Sequence, residues 1–567
     1  MSSRAKLTVR SILRLFSCAS LMMLVLFSCA HAADRGTIAT VHPLATRAGE
    51  EAYAKGGNAI DAAIAAAVTL AVVDGHNSGL GGGSFILIHR ANGRVEAIDA
   101  REMAPARAHR DMFIRNGVGD ISLSTKGALS IGIPGTVAAF DFLMGKGSNL
   151  TFKDILLPAA ELAEQGFPIN KIYADRLRDS AADIRGFPET AAILLDPKGE
   201  AWPLGHHLIQ TDLALTLRAL AEKGSDHFYK GEFAQAAARW MEANGGIISA
   251  KDFADYQWVS REPVKSTYHD YTVYGFPPPS SGGVHVAQIL NILEHFDLEA
   301  LPVAERYHVM AEAMKQAFAD RAHWLGDPDF APVPKGLLDK GYAATLAKKI
   351  GLKKRLKNIS HGQPPNATLD TFGKHTTHIA AADKEGNWVA ITTTVNTDFG
   401  SYVTIPGTGV IMNNQMDDFA IQPGVPNSYG LLGTEANSVQ PLKRPLSSMS
   451  PTIVMQGKRP VMTVGAAGGS MIITEVVLAL VNKLTLGMPL YDALAAPKIH
   501  HQWRPDAIVL EDSVPEGVRK DLQQWGHVLA DYPDWGSTQA IAVDRHGNLV
   551  GVEEPRLQIR NSETGQK

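Results

Sequence analysis

The chain has 567 residues, 45% of them hydrophobic and 20% charged, which is enough apolar sequence for one large core or two fused ones and excludes a mainly disordered chain. Its formal net charge is −4, and beyond the first residues no long run of one sign appears, so it lacks the basic footprint that nucleic acid or an anionic membrane surface requires. The expected partners are small molecules.

Arg4, Lys6, Arg10 and Arg14 precede an apolar run from Leu15 to Phe27, followed by Ala30-His31-Ala32. This is the pattern of a secretory signal peptide cleaved after Ala32, and the run falls short of the roughly 20 residues that a spanning helix needs. The expected location is therefore outside the cytoplasm, in a bacterial periplasm. Leu26-Phe27-Ser28-Cys29 loosely matches a lipoprotein box, with Phe27 a poor fit. Both cysteines, Cys18 and Cys29, lie in this segment, so a chain starting at Ala33 has no thiol for a disulfide, a nucleophile or a zinc site.

From Gly56 to Val73 an alanine-rich apolar stretch predicts a buried helix. The glycine-rich turn Gly79 to Ser84 follows. It invites a dinucleotide reading, but Phe85-Ile86-Leu87-Ile88 reads as a strand where that motif requires a helix. The middle of the chain alternates helical patterns such as Tyr307 to Trp324 with loops at Phe276 to Gly283 and Gly326 to Phe330. A basic stretch from Lys348 to Lys374 reads as a flexible, protease-accessible connector.

After it, Thr377 to Asp383 and Trp388 to Asn396 predict two strands around a hairpin turn at Lys384-Glu385-Gly386-Asn387. With the turn centred on Glu385, residues whose numbers sum to 770 face each other. Thr376 then lies opposite Thr394, and Asn396 shares that face. From the hairpin alone, an exposed sheet face is the favoured explanation of the same threonines, since Thr is simply a good strand former. Asn413 to Phe419 gathers amides and carboxylates suited to an ammonium group, and the hydroxyls of Ser447 and Ser448 offer donors to a carboxylate. Gly465 to Ser470 sits between a strand at Met462 to Val464 and a helix at Met471 to Asn482. Its backbone N–H groups suit an oxyanion hole, and no lysine follows to make a phosphate loop.

Taken together, Thr376-Thr377-His378, Asn413 to Phe419, Pro445 to Pro451 and Gly468-Gly469-Ser470 resemble the small subunit of γ-glutamyltranspeptidases. Arg101 to Pro105, Pro277 to Gly283 and Gly326 to Phe330 are similar to large-subunit signatures of that family. The resemblance implies an α+β fold of the Ntn-hydrolase kind, an αββα sandwich of two stacked, mainly antiparallel sheets between helical layers. It also implies self-cleavage between His375 and Thr376, dividing residues 33–375 from 376–567 as the two chains of a heterodimer. Thr376 would be the nucleophile, its freed α-amine the general base, and Thr394 the residue that orients it. Gly468 and Gly469 would form the oxyanion hole. Arg101, Ser447 and Ser448 would hold the donor's α-carboxylate, and Asn396, Gln415 and Asp418 its α-ammonium. Glutathione and other γ-glutamyl amides are the implied donors, and water, amino acids or dipeptides the acceptors, with no metal or organic cofactor. Pro423 to Ala436, with Tyr429, resembles the lid loop of some members. Glu554-Pro555-Arg556 departs from the Asp-Pro-Arg more usual in the family.

The rival within the fold is a cephalosporin (glutaryl) acylase, which uses the same nucleophile on another acyl group. A periplasmic amino-acid binding protein is the rival outside catalysis, and it would need neither Thr376 nor the glycine pair.

Overall fold

The computed structural model describes residues 35–363, 377–428, 430–431, 435–532, 535 and 537–557. The expected signal peptide, His375, Thr376 and Tyr429 lie outside them. Two six-stranded sheets organise the fold. In chain order their strands are β1 (Gly36–Ala39), β2 (Gly83–His89), β3 (Val95–Ala100), β4 (Val259–Arg261), β5 (Val264–Tyr268), β6 (Tyr271–Gly275), β7 (Thr377–Asp383), β8 (Trp388–Thr394), β9 (Thr452–Gln456), β10 (Arg459–Gly465), β11 (Gln539–Val543) and β12 (Leu549–Val552). The first sheet runs β1-β7-β8-β2-β3-β4 and the second β12-β11-β10-β9-β6-β5. Neighbours in both are antiparallel.

Strand alternation sets the layers. In β2, Ile86 and Ile88 join one helical layer, which includes α1 (Ala59–Val73). Phe85 and Leu87 point the other way, into a core between the sheets shared with Phe276, Ile453 and Ile541. Phe85 and Phe276 stack there with centroids 4.1 Å apart. Across the second sheet, Val454, Met462 and Val464 pack with α2 (Gly282–Leu293), α3 (Val303–Trp324) and α4 (Met471–Leu480). The order is helix, sheet, sheet, helix. Strands covered on both faces carry no polar alternation, which is why β2 reads as an unbroken apolar run.

Every residue of α1 is buried, and its start is fixed by a capping box: Asn58 accepts from the Ile60 and Asp61 amides, and Asp61 accepts from the Asn58 amide. Such a cap contributes about 1 kcal/mol. The glycine-rich turn after α1 leads directly into β2, so it is not a dinucleotide loop. Its glycines serve close packing instead, because a Cβ on Gly82 would stand 1.8 Å from the Thr394 carbonyl oxygen.

The β7–β8 hairpin has the expected register, with Thr377 opposite Thr393 and Ala382 opposite Trp388. Gly386 takes a positive φ of 99° in its turn, and Asp383 accepts from the Asn387 amide at 2.8 Å. The expected second strand stops two residues early, at Thr394. Asn396 adopts φ 83°, so a left-handed turn places its side chain rather than strand alternation.

The connector differs from expectation in its described part, 348–363. The Arg355 amide donates to Trp525 O at 3.0 Å, the Leu356 amide to Glu312 at 3.0 Å, and Trp503 Nε1 to Ile359 O at 2.7 Å. This stem is docked against helix and loop rather than free. No helix of the described residues is long and apolar enough to cross a membrane.

Candidate active site

Between β10 and α4 the chain turns through Gly468 (φ 122°) and Gly469 (φ 67°), conformations that a residue with a Cβ rarely adopts. The strand-to-helix reading of this loop holds, and the helix ends in a π-turn at Val481–Thr485. Gly468 lines a cavity of about 250 Å³ together with Asp74, Thr377, Asn396, Asp398 and Glu475. The loop is pinned from behind, where the Ala467 amide donates to Ser537 O at 3.2 Å and Thr538 Oγ1 donates to Glu475 at 2.6 Å.

Thr377, at the start of β7, donates its hydroxyl to Asp74 at 2.9 Å. Burial pushes the Asp74 carboxyl up to about 7 against the opposing hydrogen bonds from Thr377 and Asn77. Thr394 Oγ1 accepts from the Asn396 amide at 2.8 Å, so its own proton is directed elsewhere. The Asn396 side-chain amide donates to Asn414 O at 3.0 Å, while its Oδ1 is a buried acceptor with no partner among the described residues.

The remaining expected residues form a closed polar core. The guanidinium of Arg101 donates to Pro445 O (3.0 Å), to Leu446 O (3.2 Å) and to the Asp418 carboxylate. Gln415 Nε2 also donates to Asp418, at 2.8 Å, and Gln415 Oε1 is a second buried acceptor without a partner among the described residues. Arg101 and Asp418, expected to face opposite ends of a ligand, thus face each other. Glu102 lies 3.3 Å from Arg101, and burial raises its carboxyl to about 7 even with that cation beside it. Ser447 Oγ accepts from the Met449 amide at 3.1 Å, and Ser448 Oγ accepts from Arg321 at 2.7 Å. By contrast Asn413 spends its side chain on the backbone of Gly81, Gly132 and Gln415, and is structural.

Sequence reasoning missed Asp74, Arg321 and Glu475. Arg321 carried the best signal, because it sits beside Asp320 within the apolar pattern of a long helix, and both are buried. The family departure at Glu554 also gains a physical account. Its buried carboxylate accepts from Lys498 at 2.7 Å and from Arg556 at 2.8 Å, and Lys498 in turn reaches Glu475 at 2.8 Å. The longer side chain is thereby fully paired.

Among the described residues one group has metal-like spacing: His308 and Glu312, one helical turn apart on α3, with His527. His308 Nε2 bonds Gly351 O at 2.6 Å, which makes it the donor, and leaves Nδ1 to accept from His527 Nε2 at 2.7 Å. The Lys315 ammonium stands 3.9 Å from Glu312. With the imidazole lone pair in use and a cation adjacent, the group suits a hydrogen-bonded anchor for the connector stem better than a metal.

Residues 45–563 match the family model described as Gamma-glutamyltranspeptidase. The chain is 43% identical over 528 residues to a glutathione hydrolase proenzyme of Escherichia coli (strain K12), covering 92% of this chain and 91% of that one. It is 36% identical over 532 residues to an acylase ACY 1 proenzyme of Pseudomonas sp. (strain V22), covering 92% of each. A cephalosporin acylase from Bacillus halodurans shares the fold at TM-score 0.83 and 28% identity, over 92% of this chain and 95% of that one. The chain belongs to the γ-glutamyltranspeptidase family.

Proposed function

We propose that this enzyme cleaves γ-glutamyl amides such as glutathione and passes the γ-glutamyl unit to water, an amino acid or a dipeptide. It does so after export without residues 1–32 and self-cleavage before Thr376. Thr376 is bonded directly to Thr377, which lines the cavity with Gly468. Cleavage frees the Thr376 α-amine, which removes the proton from its own hydroxyl as that oxygen attacks the γ-carbonyl. The amides of Gly468 and Gly469 hold the oxyanion. The leaving amine takes the proton, and water or an acceptor amine then attacks the Thr376 ester.

The observation that carries the donor assignment is the Arg101–Asp418 pair, with Gln415 and its unpartnered acceptor bonded to Asp418, and with a second unpartnered acceptor on Asn396, whose side-chain amide is bonded to Asn414 O. An α-amino acid head group exchanges partners with this pair, its carboxylate taking Arg101 and its ammonium taking Asp418. Neither buried charge is left alone, and the two amide oxygens gain donors. A glutaryl group has no ammonium, so it strands Asp418, at a cost of about 2–5 kcal/mol. The expected outcome is a kcat/KM for γ-glutamyl anilide at least about tenfold above that for glutaryl anilide. Equal rates or a glutaryl preference would favour the acylase reading that the Pseudomonas relative represents.

A further inference from the structure

We propose that Arg321 is a positioning residue for the donor's α-carboxylate, acting through the hydroxyl of Ser448; this rests on the head-group reading above. Arg321 lies on the last turn of α3, fully buried. Its Nε donates to Ser281 Oγ and its terminal nitrogen to Ser448 Oγ, both at 2.7 Å. Ser281 in turn donates its hydroxyl to Ser447 O at 2.8 Å and its amide to the same oxygen at 2.7 Å. One planar fork therefore sets the loop from both sides.

A serine hydroxyl has one proton and two lone pairs. With a lone pair of Ser448 Oγ held by a guanidinium, which only donates, the hydroxyl proton is turned away from Arg321 and toward an acceptor. The carboxylate assigned to Ser448 is such an acceptor. The charge of Arg321 adds to that of Arg101 from behind the serine, within a core where the field of Asp418 reaches it and opposes the effect of burial. Lysine cannot reproduce this arrangement, because a single ammonium on a flexible stem lacks the fork that spans two hydroxyls.

The test compares two donors, γ-glutamyl anilide and 4-aminobutyryl anilide, which differ only by the carboxylate. The readout is the ratio of their kcat/KM values in wild type, R321K and R321M, each checked for self-cleavage and thermal unfolding. The expected result is a ratio that falls at least about fivefold in R321K and about tenfold or more in R321M, chiefly through KM for the carboxylated donor. A purely structural prop would lower both donors together and leave the ratio unchanged. An unchanged ratio in R321K, the variant that keeps the charge and disturbs the core least, overturns the proposal whether or not R321M folds. A wild-type ratio near one would instead overturn the head-group reading itself.

Discussion

Asp74 follows the last residue of α1 and is buried beside Thr377. Its carboxyl, at about 7 in the fold against an ordinary 3.8, keeps its proton in the folded state over a range where the unfolded chain has lost it. The unfolded state binds fewer protons there, so this group's contribution to stability falls as pH rises from about 4 to 7. Asp74→Asn, made in a Thr376→Ala background to hold the chain uncut, removes that slope. The variant should gain on its parent by on the order of a few kcal/mol more at pH 8 than at pH 5. A melting-temperature difference that is the same at both pH values would show that Asp74 is ionised throughout. At this scale the sequence was legible where several polar residues share one short loop, as at Gln415 and Asp418. It was silent where chemistry depends on partners far apart in the chain, since Asp74 and Thr377 are 303 residues apart and no local pattern joins them.

The β7–β8 hairpin was readable because a tight turn fixes the register of the strands it joins. Where the strand ends was not, since the left-handed Asn396 answers to its bond with Asn414 rather than to strand propensity. Gly82 shows the same dependence on distant neighbours. Its missing side chain is what lets the Thr394 carbonyl approach, and that carbonyl is backbone and cannot rotate aside. Gly82→Ala should therefore cost at least about 1–3 kcal/mol in urea unfolding and displace β8 at its functional end. Gly517→Ala is the control, inside the helix Glu516–Gln524 with open space around it, and should be neutral or stabilising by up to about 1 kcal/mol. Equal effects would mean that the sheet yields at Gly82.

For the whole molecule, the layered sandwich came from the resemblance of motifs, because periodicity alone does not say which sheets stack. The structure adds how the two products of cleavage would hold together. Strands from before and after residue 376 are paired side by side in both sheets, with β7 and β8 inserted between β1 and β2 in the first, and the block β9 to β12 joined to β6 through β9 in the second. The cut protein should elute as one particle in salt and separate into two chains only on denaturation, the smaller beginning at Thr376. Thr376→Ala should remain a single chain. A smaller chain with any other N-terminus would remove Thr376 as the nucleophile.

The pairing of β1 with β7 sets Gly36 against Asp383, and this has a consequence in time. A strand made near the start of synthesis waits for a partner made two-thirds of the way along, and the second sheet waits longer still, for β11 and β12. Such non-local closure is slow, since the loop entropy is lost before any contact rewards it. The groups around Thr377 and Gly468 come together only once nearly the full chain exists. Under the proposed self-cleavage, completion of the chain would itself time the cut, and a growing or truncated chain should stay whole.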